Sequence, residues 1–332
     1  MDLAVLSHKP EVTTCVPGWN ARRSIWGGHI LNSCYSFLQR HAHWHDVLDP
    51  SALLASHAEI QNSKSLLESL GSRNAEKKDD KVMMAEKLCE ASVHPDSGHV
   101  LPIIFRPPAY VLLGAPLVVA TLVPHATVAS AFVFQLPFQT YNAGFALANG
   151  NRSQKKSEHP LYTSAVVLYL ACLGAAPVLA MKKLGVRSPS GHSFFGRILP
   201  PPLYALLGGL SVVLMRFPEV EHGVQVVDRE GNLVGASRNA AQKAMKETAL
   251  SRSALFGVTT LVPSLLRRSP HMLRSPRVFS LLKHLAALVT FGMMVPVSFA
   301  LFPQRGSIRR DDLEEELKEK TTEATLFYNR GL

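Results

Sequence analysis

The sequence predicts an all-α, multi-pass transmembrane helical bundle of about five spans. A polar N-terminal region precedes the bundle, and a small hairpin-helix insertion separates the fourth and fifth spans. Charge segregation is the first observation behind this: residues 1–106 are polar and charge-rich, whereas most of 107–215 is apolar and nearly free of charge. Composition is the second, with 47% hydrophobic and only 18% charged residues in a chain of 332. Third, several apolar runs approach the roughly 20 residues that a hydrocarbon slab about 30 Å thick requires of a helix.

The organisation follows from N- to C-terminus. Residues 1–106 form the polar region with amphipathic helices. Its segment His41–Asp46 (HAHWHD) alternates three histidines, which on a helix point to different faces, so no metal site is assigned there. A helix ending at Asp49-Pro50 is the expected form. Val82, Ala85, Cys89 and Val93 recur at helical spacing, giving an amphipathic helix that ends before Pro95. Residues 107–215 carry four spans: Pro107–Pro124, Ala126–Asn149, Leu161–Met181 and Gly196–Met215. Prolines and glycines within them predict kinked, closely packed helices, because neighbouring helices can satisfy carbonyls that proline frees.

Residues 216–277 form the insertion. Val224–Val227 and Leu233–Val234 flank DREGN as a hairpin, and Ser237 caps a helix from Arg238. The apolar run Ser253–Leu266, at 14 residues, is short for a span and reads as a buried, re-entrant or interfacial helix. Residues 278–302 hold the fifth span, with Leu285–Phe302 as its apolar part, and 303–332 form the tail.

The net charge is +10, and basic residues gather beside the spans, at Arg152, Lys155 and Lys156, at Lys182, Lys183 and Arg187, and at Arg267, Arg268, Arg274 and Arg277. Juxtamembrane cations hold anionic headgroups, so the expected partner is a membrane surface with anionic lipid and not nucleic acid. Counted over five spans, loop charge places the N-terminus inside and the C-terminus outside, whereas a sixth span through Ser253–Leu266 would return the tail to the same side. The four cysteines lie far apart and form no recognisable disulfide or metal-ligand pattern. The first thirty residues lack an apolar signal core. No phosphate-binding glycine loop, nucleophile elbow or zinc helix is present, so neither enzyme activity nor a cofactor is expected.

One ordered set of motifs is specific. HPDSG (His94–Gly98), NGNRS (Asn149–Ser153), LMR (Leu214–Arg216), VVDREGNLVGASRNAA (Val226–Ala241), ALFPQ (Ala300–Gln304) and YNRGL (Tyr328–Leu332) resemble the sideroflexin family from about Leu48 to the C-terminus. That resemblance implies a multi-pass protein of the mitochondrial inner membrane, imported without a cleaved presequence, in which "inside" becomes the matrix. It further implies transport of amino acids or similar small metabolites. The forms HPDS, NGNRS, MVPVSF and the Arg-Gly tail resemble one branch of the family in particular. That branch implies a second reading, a membrane assembly factor for respiratory complex I linked to iron–sulfur supply, with assembly factors as partners and a place in iron homeostasis. Direct iron carriage is disfavoured, since Cys172 is the only cysteine in the spans.

Departures from the family pattern argue against serine as the solute. Asparagines that line the second span in serine-carrying members are here Gly144, Phe145, Ala146 and Ala148, and those of the fourth appear as Gly208 and Ser211. The surviving substrate-path candidates are Gln139, Tyr141, Asn142, Asn149, Asn151, Arg152, Ser211 and Arg216. Asn142 would either contact a solute or bond a carbonyl freed by Pro137. Asn149, Asn151 and Arg152 stand at a helix end, where capping and headgroup binding compete with transport. His94 and Asp96 form a gate or, preferably, a rigid turn. Arg106 and Arg216 either pair with a carboxylate or snorkel to the interface.

Overall fold

The computed structural model describes residues 33–70, 80–95, 97–151, 160–266 and 276–332. Three helices precede the bundle: α1 (Ser33–Val47), α2 (His57–Leu70) and α3 (Asp80–Ser92). Helix α1 runs through the alternating histidines, and His43 pairs with Glu90 of α3 at 3.1 Å while Asp46 pairs with Lys87. The bundle then comprises α4 (Pro107–Leu122), α5 (Val128–Asn149), α6 (Pro160–Lys183), α7 (Pro189–His222), α8 (Arg238–Leu265) and α9 (Pro276–Ala300).

Local chemistry sets the helix ends. Helix α4 opens on Pro107-Pro108, whose missing N–H groups cost nothing in a first turn. Thr127 and Ser130 form a reciprocal capping box on α5. Within α7, Pro200, Pro201 and Pro202 supply no amide donors to the preceding carbonyls, and the helix widens into a π turn over Phe194–Ile198. It ends at Gly223 with φ +80°, where a Cβ would meet the Ser237 and Ala236 backbone at 3.1–3.2 Å.

Helices α6, α7 and α9 are long and apolar enough to cross a membrane, and α4 is a shorter apolar helix. Helix α6 buries one stripe, Val166, Val167, Leu170, Ala171 and Ala175, and leaves Leu161, Leu168 and Tyr169 exposed. Helix α9 does the same with Leu281, Val289 and Met293. So broad an exposed apolar belt is unsuited to water and suited to acyl chains.

The run Ser253–Leu266 is not a separate element. It forms the second half of the 28-residue helix α8, which packs antiparallel along α7 and then along α9. Six helices therefore run back and forth, and both described ends of the chain lie at one end of the bundle, called here the near end. Arg40 of α1 donates to the carbonyl of Ala300 at 2.8 Å, and the Leu332 amide donates to the carbonyl of Asn149 at 3.1 Å. The two ends thus lie as expected if Ser253–Leu266 belongs to a sixth span, and not as expected from five. Lys182, Lys183 and Arg187 stand at the far end, where α6 ends and α7 begins.

The insertion hairpin forms as expected, with β1 (Val224–Val227) and β2 (Leu233–Ser237). The tail adds β3 (Arg305–Arg309), the short helix α10 (Glu315–Lys318) and β4 (Thr325–Asn329). All strands are antiparallel in the order β2-β1-β4-β3, so the tail supplies a central strand. Val226, Ala241, Ala244, Ile308, Leu326 and Tyr328 form the core between this sheet and the start of α8.

Candidate functional site

Polar groups inside the bundle fall into three levels, beginning with a seal at the near end. Helix ends leave carbonyls without intrahelical donors, and here buried side chains meet them. Arg216, 1% exposed, grips the Glu219 carboxylate through Nε and Nη2, the shortest contact being 2.7 Å. Its Nη1 donates to the Thr248 hydroxyl of α8, and Nη2 also donates to the carbonyl of Arg330. Asn151 donates its amide to the same carboxylate, at 3.2 Å. Asn149 donates to the carbonyls of Phe105 and Phe145. His94 Nε2 lies 2.7 Å from the carbonyl of Gly150, within a turn closed by the Gly98 amide on the His94 carbonyl. Arg106 donates to the carbonyls of Leu101 and Ala52. Arg330 is also buried, which pulls its guanidinium down to about 9 despite the opposing charge of Glu247. Arg152 and Asp96 lie outside the described residues.

The middle level is aromatic. Tyr110, Phe145 and Phe299 surround the guanidinium of Arg252, with Cζ at 4.8, 5.4 and 4.7 Å from their ring centroids. Arg252 is 4% exposed, and neither Nη1 nor Nη2 meets a hydrogen-bond acceptor among the described residues. Ring faces return about 0.5–2 kcal/mol to a cation, against a burial cost of several kcal/mol for an unpaired ion. Asn142 accepts from the Tyr110 hydroxyl at 2.7 Å and donates to the carbonyl of Phe138, not to a carbonyl freed by Pro137. Tyr141 stacks on Tyr110 and donates to the carbonyl of Ile104. Ser211 returns its hydroxyl to the carbonyl of Gly208. Toward the far end a layer of Phe138, Phe256 and Phe291 follows, with centroids 5.3 and 6.1 Å apart.

Beyond that layer a cavity of ≈ 360 Å³ lies among the far-end halves of the bundle helices. Its wall includes Gln135 of α5, which donates to the Tyr204 hydroxyl at 2.9 Å; Tyr204 in turn donates to the carbonyl of Thr121. Gln139 donates to Gln135 at 3.3 Å and so connects to the cavity from behind. Thr260, Ser264, Lys283 and His284 come from α8 and α9, and His192 comes from the start of α7. The π turn contributes Phe195 and Gly196. Among the described residues, no aspartate or glutamate lines the cavity. This wall can hydrogen-bond a small polar solute and does not repel an anion. A larger hollow of ≈ 770 Å³ lies off the bundle axis, between α2 and Gly98–Arg106, and is a surface groove.

Of the residues singled out in the sequence, Gln139 backs the cavity wall through Gln135, Tyr141 and Asn142 join the aromatic level, and Asn149, Asn151, Arg216, His94 and Arg106 build the near end. Gln135, Tyr204 and Arg252 were missed. Their signal was present for Arg252, because Ala244, Thr248, Arg252 and Phe256 recur every four residues along the buried face of α8.

The family model described as Sideroflexins matches residues 33–332. Sideroflexin-4 of Danio rerio is 38% identical over 310 residues, covering 91% of this chain and 97% of that protein. Sideroflexin-4 of Homo sapiens is 34% identical, with 90% and 89% covered, and Sideroflexin-5 of Homo sapiens is 32% identical, with 90% of each covered. No solved structure matches significantly.

Proposed function

This chain belongs to the sideroflexin family, and from that premise we propose that it is a mitochondrial inner-membrane transporter for an amino acid or similar small metabolite other than serine. One observation carries the reading: a polar cavity of metabolite size enters the bundle from the far end and is stopped by an aromatic layer and a buried polar seal. A site reachable from one side and closed toward the other is what alternating access requires. Prolines inside α4, α5, α6, α8 and α9 supply places where the helices can bend during the exchange. The mechanism uses binding and conformational change, without covalent chemistry or a cofactor.

The exclusion of serine rests on the aromatic middle level. Phe145 stands where serine-carrying members resemble one another in having asparagine, and its ring packs on Tyr110 with centroids 4.2 Å apart. A second small polar solute shell is thereby replaced by ring surface. The test is uptake of a broad panel of labelled amino acids into vesicles containing the purified chain. Saturable uptake of at least one of them, with serine excluded, is expected; failure with every member of the panel contradicts transport.

One feature favours a second reading, as an assembly factor for respiratory complex I linked to iron–sulfur supply. Helices α1–α3, the four-stranded sheet and the tail form a water-facing layer at the near end, broad enough to hold partners. Affinity purification in mild detergent separates the two. Under this reading complex I assembly factors co-purify and complex I falls in cells lacking the protein; under transport alone neither occurs.

A further inference from the structure

Four arginines are buried at or near the bundle interior, and three of them have acceptors. Arg106 donates to two carbonyls, Arg216 to Glu219, Thr248 and the carbonyl of Arg330, and Arg330 Nη2 to the carbonyl of Phe299. Arg330 is answered only through that Nη2, its Nε and Nη1 being buried without partners, and Arg252 goes further, with neither Nη meeting an acceptor among the described residues. The rings of Tyr110 and Phe299 stand 4.8 and 4.7 Å from its Cζ. Ring faces attract the charge but do not take the in-plane N–H pairs, which are shaped for a carboxylate fork. A residue held only for packing does not need this charge, since an apolar side chain of similar volume fills such a place without the desolvation cost.

Position adds to chemistry. Phe256 lies one turn further along α8 from Arg252 and belongs to the aromatic layer that floors the far-end cavity. Gly208 lets α7 approach closely here, because a Cβ would meet Phe256 at 2.5 Å and the carbonyl of Arg252 at 2.9 Å. Among the described residues the cavity wall holds Lys283 and no carboxylate, so these residues do not repel an anion.

We propose that Arg252 is the carboxylate-binding point of the path: a solute that leaves the cavity and passes the Phe138–Phe256–Phe291 layer places its carboxylate on Nη1 and Nη2. The proposal rests on the transport reading and adds to it the chemical class of the solute and the group that holds it. Arg252 then serves as a transient counter-charge, and Tyr110, Phe145 and Phe299 keep the cation in place while the site is empty.

The experiment uses the purified full chain in detergent, with propionate and propionamide as matched probes at constant ionic strength. Propionate raises the thermal midpoint saturably, propionamide does not, and Arg252→Gln abolishes the propionate shift. Arg252→Lys keeps a buried cation and covers the case in which the Gln variant does not fold. There the half-maximal propionate concentration rises about tenfold, because an ammonium cannot make the forked pair. Equal response to the two probes, a full shift in the Gln variant, or an unchanged half-maximal concentration in the Lys variant overturns the proposal. Vesicle uptake is read separately. A propionate shift without uptake of any solute keeps the site and sinks transport, whereas undiminished uptake of a carboxylated solute by Arg252→Gln keeps transport and sinks the site.

Discussion

Arg216 and Glu219 sit three residues apart at the near end of α7, and each is costly without the other. The arginine is almost wholly enclosed, and the carboxylate also receives the Asn151 amide. Removing one partner of a buried pair leaves an uncompensated charge, at a cost of about 3–5 kcal/mol. Glu219→Gln is therefore expected to lower the thermal midpoint in detergent sharply, and pairing it with Arg216→Met is expected to recover part of the loss. A midpoint unchanged by Glu219→Gln shows that the pair does not hold the seal. Half of this pairing was legible, since Glu219 stands at i+3 from an arginine at a span boundary. Thr248 and the Arg330 carbonyl were not, because they come from chain 32 and 114 residues away. Gly208 shows a similar limit. Its departure from the family asparagine was visible in sequence, but the Phe256 ring that occupies the space belongs to a helix whose packing only the fold reveals.

Helix α8 starts where the hairpin ends, and three of its first donors are met by two side chains. The Ser237 hydroxyl accepts from the Ala240 amide, and Glu314 of the tail accepts from the amides of Arg238 and Asn239. Burial pushes the Glu314 carboxyl up, but the amides of Asn239 and Arg238 and the Ser237 hydroxyl outweigh it and hold the group below its ordinary value. A carboxyl with a depressed folded-state value stabilises the fold above its unfolded value and loses that contribution as pH falls through the folded one. Glu314→Gln should thus cost about 1 kcal/mol near neutrality, in line with other lost helix caps. The gap from the native chain should close in acid, below the usual carboxylate value of about 4.3. A gap that is constant across pH shows that ionised Glu314 does not cap α8. The hairpin and the Ser237 cap were readable because they are local. The continuity of α8 was hidden by a change of composition at Arg252-Ser253, although no helix stop stands there. Strand β4 was hidden because its partner β1 lies about a hundred residues upstream.

Six helices run between the two ends of the bundle, and how many of them cross decides on which sides of a membrane the two chain ends lie. The first half of α8 carries polar residues on faces turned to the sheet and the seal, so its apolar half alone looked too short to count as a crossing. With α8 included, tags on the two ends should behave identically toward protease in mitochondria whose outer membrane has been opened. Opposite behaviour of the two tags restores the odd number of crossings. The bundle itself was legible throughout, because lipid imposes length and apolarity on each helix directly. The cavity was not, since its wall draws residues from all six helices of the bundle and no one stretch of sequence displays it.

Ser264 of α8 lines that cavity. In a chain whose own cysteines are replaced, Ser264→Cys offers a thiol to a membrane-impermeant reagent during solute uptake. Reagent added on the side opposite the two chain ends should block uptake, and a saturating solute should slow the block. Block only from the side that carries the ends, or from neither side, contradicts a far-end cavity that serves as the entrance to a transport path.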